Sequence, residues 1–199
     1  MRPFAPVRVP VLLTLSLCAF ATPAAAADPG PVKPGGAAAA AAAQAPDRWA
    51  AFRGFLGVWE GTSRGAPGTG TVRREYRLVL GDRFIEVRNA STYPPQEGNR
   101  EGELHEDVGY ISLDRARSVH VLRQFHLEGF VNTYAAPAGS PPASPLVFTS
   151  EAIENIAPGW RARETYRFEG PDELVEVFEL AAPGKDFTTY TEARLKRVR

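Results

Sequence analysis

Thr71-Val72-Arg73-Arg74-Glu75-Tyr76-Arg77-Leu78-Val79-Leu80-Gly81-Asp82-Arg83-Phe84-Ile85-Glu86-Val87-Arg88-Asn89-Ala90-Ser91-Thr92-Tyr93 is the stretch that decides the fold. Two long runs, 71–80 and 83–93, are separated only by Gly81-Asp82. A two-residue spacer whose glycine supplies a positive φ is the strongest short-range sign of an antiparallel hairpin.

The same pattern extends in both directions. Ten segments rich in Val, Ile, Phe, Tyr and Thr follow one another at 55–64, 71–80, 83–93, 104–113, 118–127, 130–135, 146–154, 160–168, 173–180 and 187–198. Gly, Pro and Asp punctuate them. Pro183-Gly184 suits the centre of a type II turn, Gly170-Pro171-Asp172 breaks the chain sharply, and 136–145 is a longer Pro/Ser-rich loop. The one helix expected is short: Asp47 caps 48–54, with Trp49, Phe52 and Leu56 on one side. Successive hairpins without crossover helices predict an all-β meander, and closure into an up-and-down antiparallel β-barrel removes its edges. A two-sheet β-sandwich is the alternative. Ten strands about 4.8 Å apart and tilted by about 40° give a backbone radius near 10 Å, enough for a small ligand or for large filling residues.

The N-terminal part reads differently. Arg2 and Arg8 flank the start of an apolar run, and small residues Ala24 to Ala27 precede Asp28, the layout of a secretory signal peptide over 1–27. That run is too short for a transmembrane anchor, which needs about 20 apolar residues. Residues 28–46, with alanines from Ala37 to Ala43, read as a disordered Ala/Pro linker, which leaves 47–199 as one domain. An exported protein, periplasmic or secreted, is the expectation. Its only cysteine, Cys18, would leave with the signal, so disulfides, thiolate metal sites and cysteine nucleophiles are not expected. The charges balance at 23 basic and 23 acidic residues, and losing Arg2 and Arg8 tips the balance slightly acidic. A nucleic-acid partner or a polybasic membrane patch does not fit that charge.

Phe55-Leu56-Gly57-Val58-Trp59-Glu60-Gly61 resembles the Gly-x-Trp signature that opens the first strand of calycin barrels, the group of lipocalins and fatty-acid-binding proteins. Within it, the strand count and the Trp-Glu-Gly continuation look most like nitrobindin-type heme-binding β-barrels. The resemblance implies a barrel over Trp49 to the C-terminus whose cavity houses heme or another apolar ligand, with Arg194, Lys196 or Arg197 stacked on Trp59 at the closed end. It departs from the family pattern at Ser63, which replaces a glycine, and at Pro67-Gly68, where Tyr-Pro belongs. The family's heme-ligating histidine is also missing: Thr189-Tyr190-Thr191-Glu192 precedes Ala193-Arg194-Leu195. Tyr190 is the residue that would ligate heme as a phenolate, with an ordinary strand aromatic as the other reading.

Among chemistry-bearing residues, 118–127 alternates between a face with His120, Leu122, Gln124 and His126 and a face with Val119, Val121, Arg123, Phe125 and Leu127. If the second, mainly apolar face is lumenal, Arg123 is a buried cation in need of an acid; the alternative is that the His face points inward. His120 and His126 lie about 20 Å apart along one strand and cannot share a metal. His105-Glu106-Asp107 reads as a solvated strand start, and no metal site is expected; His126 and Glu128 are candidates for a pair at the rim. In 160–168, Trp160, Ala162, Glu164, Tyr166 and Phe168 share a face, so Glu164 is a candidate buried carboxylate for Arg123. Arg123, Phe125, Trp160, Glu164 and Tyr166 are thus the candidate ligand-binding residues; the Arg123–Glu164 pair would orient a polar head or simply fix strand register. Arg161, Arg163 and Arg167 are expected to screen Glu173, Glu176 and Glu179 on the outside.

No Ser/His/Asp arrangement, P-loop, dinucleotide Gly-loop or HExxH occurs, so no catalytic residue is assigned and no cofactor is required. The leading expectation is an exported barrel binding a small apolar or amphipathic ligand. A barrel isomerase or heme-dependent detoxifier of reactive nitrogen or oxygen species, and a surface interaction or stress-response module, are the alternatives.

Overall fold

The computed structural model describes residues 47–138 and 145–198; the signal and linker expectations fall outside the described residues, as do 139–144 of the Pro/Ser-rich loop. Ten strands follow in order: β1 (Gly57–Gly65), β2 (Gly68–Val79), β3 (Phe84–Tyr93), β4 (Glu103–Asp114), β5 (Val119–His126), β6 (Val131–Pro137), β7 (Leu146–Glu154), β8 (Arg161–Gly170), β9 (Glu173–Ala181) and β10 (Thr188–Arg197). Each pairs antiparallel with its neighbours, and β1 pairs with β10, from Trp59 opposite Arg197 to Gly65 opposite Thr191. The sheet therefore closes into an up-and-down barrel, not a sandwich. No described helix is long and apolar enough to cross a membrane.

Closure at the β1–β10 seam relies on small residues. A Cβ on Gly61 would lie 1.9 Å from the Arg194 carbonyl oxygen, and one on Gly65 would lie 2.0 Å from that of Tyr190. Any side chain there would push the closing strands apart.

The β2–β3 hairpin has a longer turn than the two residues expected. Val79 and Phe84 form the last pair, and Leu80, Gly81 and Asp82 between them all take positive φ. Pro183-Gly184 behaves as expected, with Gly184 at φ 71 and the Lys185 N–H donating to the Ala182 carbonyl at 2.9 Å.

The N-terminal helix is a single 3-10 turn, Ala50–Phe52. Its N-cap position is Trp49 rather than the expected Asp47, whose Oδ1 accepts from the Trp49 N–H at 3.0 Å in the turn just ahead of it. Because the bonds run from i to i+3, Trp49, Phe52 and Phe55 align and become buried, and Leu56 packs against the same cluster only partly buried. These aromatics plug one end of the barrel, where Phe55 meets Tyr76, Tyr166 and Phe168, and Phe52 meets Phe148 and His120. Trp59 is fully buried there, and Arg197 lies 4.2 Å above its ring while donating to the Leu56 and Gly54 carbonyls and to Asp172. Arg194 and Lys196 pair with acids on the exterior instead.

A meander reverses at every strand, so the opposite end collects the C-terminal halves of odd strands and the N-terminal halves of even ones. That end holds the site.

Candidate functional site

A cavity of about 620 Å³ occupies the unplugged end of the barrel. Its wall combines apolar side chains, among them Leu104, Phe130, Ile153, Phe178 and Leu180, with an unusual density of ionisable ones. Among the described residues, Glu103, Asp107, Glu128, Glu164 and Glu176 line it against one arginine, Arg74, and the histidines His105 and His126.

Arg74 is lumenal because it alternates with Val72 and Tyr76 on the inner face of β2. It is closely paired with Glu176 of β9, and it donates to the Asn89 amide oxygen at 3.2 and 3.3 Å. Burial acts against its charge, and Glu176 more than restores it, so its pKa lies well above the usual arginine value. Asn89 in turn donates to Asp107 at 3.0 Å. A second buried pair sits beside this chain, with the Tyr166 hydroxyl donating to Glu164. Burial, and then the negative charge of Glu176, push the Glu164 carboxyl up to about 8, so most molecules hold it neutral at pH 7.

The mouth carries the histidines. His105 Nδ1 bonds Glu128 at 2.7 Å and its Nε2 lies 3.5 Å from Asp107. Burial pulls its pKa down, but the hydrogen bonds to Asp107 and Glu128 raise it to about 9. His126, directly opposite Asp107 in the β4–β5 register, stacks on Phe130 with ring centroids 4.0 Å apart. Burial holds its pKa below the ordinary histidine value. His120 belongs to the plug, stacked against Trp49.

Of the residues expected to bind ligand, Glu164 and Tyr166 are buried and Trp160 stands at the mouth, 38% exposed. Arg123 and Phe125 are corrected: both lie on the outer face of β5, Phe125 48% exposed. The inner face carries His120, Leu122 and Gln124, whose side chains fit the register in which Gly109 faces Gln124. The expected Arg123–Glu164 pair is therefore replaced by Arg74–Glu176 and Tyr166–Glu164. Glu176 is not part of the outer screening set; Arg163 takes Glu179 alone, at 2.6 and 2.7 Å. Glu128 pairs with His105 rather than with His126. Tyr190 lines the cavity, edge-on to Phe178. Arg74 is not among the residues expected from sequence to bind ligand, although its place between Val72 and Tyr76 on β2 marks it as an inward cation.

No protein-family model matches this chain, and no curated protein sequence matches it. Among solved structures, it is similar to the crystal structure of Rv2717c from M. tuberculosis, with a TM-score of 0.59 and 20% identity over 78% of this chain and 99% of that one. A de novo designed fluorescence-activating β-barrel is more distant, with a TM-score of 0.40 and 15% identity over 75% of this chain and 98% of that one. At such identities the likeness concerns architecture alone: the chain is a closed ten-stranded antiparallel β-barrel.

Proposed function

We propose that the protein is a small-molecule-binding barrel, exported by its N-terminal signal, that takes one partly apolar ligand through the open end. The observation that carries this reading is a cavity of about 620 Å³ that combines an apolar wall with the buried groups Arg74, Glu164 and Glu176, Glu164 being backed from outside the cavity by the Tyr166 hydroxyl. A cavity of this size and mixed lining is typical of small-molecule sites. The ligand's apolar body lies against Phe178, Leu180 and Ile153, and its polar end reaches the buried acids.

The charge of the wall narrows the ligand class. Arg74 is already committed to Glu176, so a carboxylate entering the lumen would meet mostly acids and lose its hydration without a free cation to replace it. A neutral hydroxyl or amide, or an amine, instead finds acceptors. Selection against anions follows from the unpaired desolvation of the wrong ligand.

Heme, which the nitrobindin resemblance implies, fits these residues poorly. Its propionates would meet Glu103 and Glu128 at the mouth, and burial raises the Tyr190 pKa, which opposes the phenolate that iron would need. No enzymatic step is assigned.

The test is calorimetric titration with three probes sharing one aromatic body: naphthylmethanol, naphthylmethylamine and naphthoate. The alcohol and the amine should bind, with naphthoate at least about tenfold weaker, the equivalent of about 1.4 kcal/mol. Equal or tighter binding of naphthoate would overturn the charge argument, and failure of all three would overturn lumenal binding.

A further inference from the structure

The mouth of the barrel holds a second arrangement that ligand carriage does not need. His105 and Asp107 are two residues apart on β4 and so share its inner face, and the β4–β5 register sets His126 directly opposite Asp107. Single strands cannot gather these three groups, but the pairing of two strands does. One ligand-type atom from each lies within 4.8 Å of the other two.

We propose that His105, Asp107 and His126 form a binding site for a divalent first-row transition metal, with its remaining coordination positions open to the cavity. Two imidazoles and one carboxylate are the donor set of facial-triad iron sites and of open zinc sites. Metal–ligand bonds of about 2.1 Å at tetrahedral angles put donor atoms about 3.4 Å apart. The His105 Nε2 to Asp107 Oδ2 separation is already 3.5 Å. His126 needs only a side-chain adjustment to join them.

The surroundings supply the outer support such ligands require. Glu128 accepts from His105 Nδ1 at 2.7 Å, which leaves Nε2 as the donor toward the metal. Asn89 fixes the Asp107 carboxylate, and Phe130 fixes the plane of the His126 ring. One further observation, the unsatisfied His126 Nδ1, points to a missing positive partner. His126 Nδ1 and the Asn132 amide oxygen are both buried without a hydrogen-bond partner. The Asn132 amide nitrogen contacts His126 Nε2 at 3.2 Å and the Tyr134 hydroxyl at 2.7 Å. Turning that amide over lets its oxygen accept from both, and frees the Nδ1 lone pair of His126 for a cation. The site lines the same cavity, but neither Glu164 nor Glu176 supplies a donor to it, so the two can be tested separately.

The experiment uses tag-free protein stripped with chelator and titrated with Zn²⁺ by calorimetry and with Co²⁺ by visible absorbance. The expected result is one ion per chain, with a Kd on the order of micromolar or tighter. Asp107→Asn and His126→Gln should each weaken binding at least about tenfold, and Glu128→Gln by about ten- to a hundredfold. Glu164→Gln should leave metal binding unchanged while it alters the response to the naphthyl probes. A readout on the unsubstituted protein guards against variants that fold poorly: Zn²⁺ should shift the imidazole NMR signals of His105 and His126 and leave that of His120, at the plugged end, in place. Absence of stoichiometric binding, persistence of full affinity in Asp107→Asn and His126→Gln, or zinc shifts that spare His105 and His126 would each overturn the proposal.

Discussion

Replacing Glu164 by glutamine should make the protein more stable, by an amount that grows with pH. Glu164 is 4% exposed and accepts from the Tyr166 hydroxyl, and burial raises its pKa from an ordinary 4.5 to about 8. Below pH 4.5 both folded and unfolded chains hold the proton, and the group contributes no pH dependence. Between 4.5 and 8 the folded chain keeps a proton that the unfolded chain has released, so the folded state loses stability as pH rises. The slope for one group is about 1.4 kcal/mol per pH unit, which reaches at most about 3 kcal/mol at pH 7. Glutamine removes that titration and preserves an oxygen for Tyr166. Urea denaturation of both proteins from pH 5 to pH 7.5 isolates the effect, because the difference between the curves cancels the titrating groups that do not interact with Glu164. The stability difference, variant minus parent, should rise steadily across that range. Parallel pH profiles would refute the claim that Glu164 is buried beside Glu176 with its proton retained.

Three other perturbations probe the frame around the site. Phe52→Ala in the aromatic plug should cost about 3–5 kcal/mol in urea denaturation, the usual penalty for emptying a buried aromatic position; a change under about 1 kcal/mol would mean that the plug does not close the barrel end. Arg197→Met should cost about 2–4 kcal/mol, since the guanidinium spans Trp59, the Gly54 and Leu56 carbonyls and Asp172; Arg197→Lys should recover only part of it, and full recovery would contradict the forked geometry. On the outer wall, Arg77 foremost, with Arg88 and Tyr110, holds the Glu86 carboxyl down to about 2. Its contribution is complete above pH 4.5 and fades as pH falls toward 2, so Glu86→Gln should flatten that part of the acid unfolding curve, and an unchanged acid limb would refute the pairing.

The architecture was readable because strand alternation and turn residues are local. The segment at 146–154 coincides with β7, and most other boundaries shift by only one to three residues. The Gly61 and Gly65 positions of the Gly-x-Trp opening acquire a physical reason in the close β1–β10 approach. Faces were harder. Alternation separates Val119, Val121, Arg123, Phe125 and Leu127 from His120, Leu122, Gln124 and His126, but hydropathy favoured the wrong set for the lumen. In a barrel with a polar cavity the inner face need not be the more apolar one, and the partner strand decides. Gly109 opposite Gln124 and Asp107 opposite His126 are facts of register, to which a strand read alone is blind. The same blindness concealed the His105–Asp107–His126 cluster, although the i, i+2 relation of its first two members was visible in the chain. Arg74 and Glu176 meet across the barrel from strands far apart in sequence, and no local pattern links them.

Native mass spectrometry of the protein purified without refolding, paired with its visible absorbance, tests lumenal ligand carriage most directly. The expected result is a co-purifying mass of a small neutral or amine-bearing molecule, bound one per chain and weakened by Glu164→Lys, with no Soret band. A heme mass with a Soret band would contradict the charge reading of the cavity. A chain that carries nothing and takes up none of the naphthyl probes would contradict ligand binding itself.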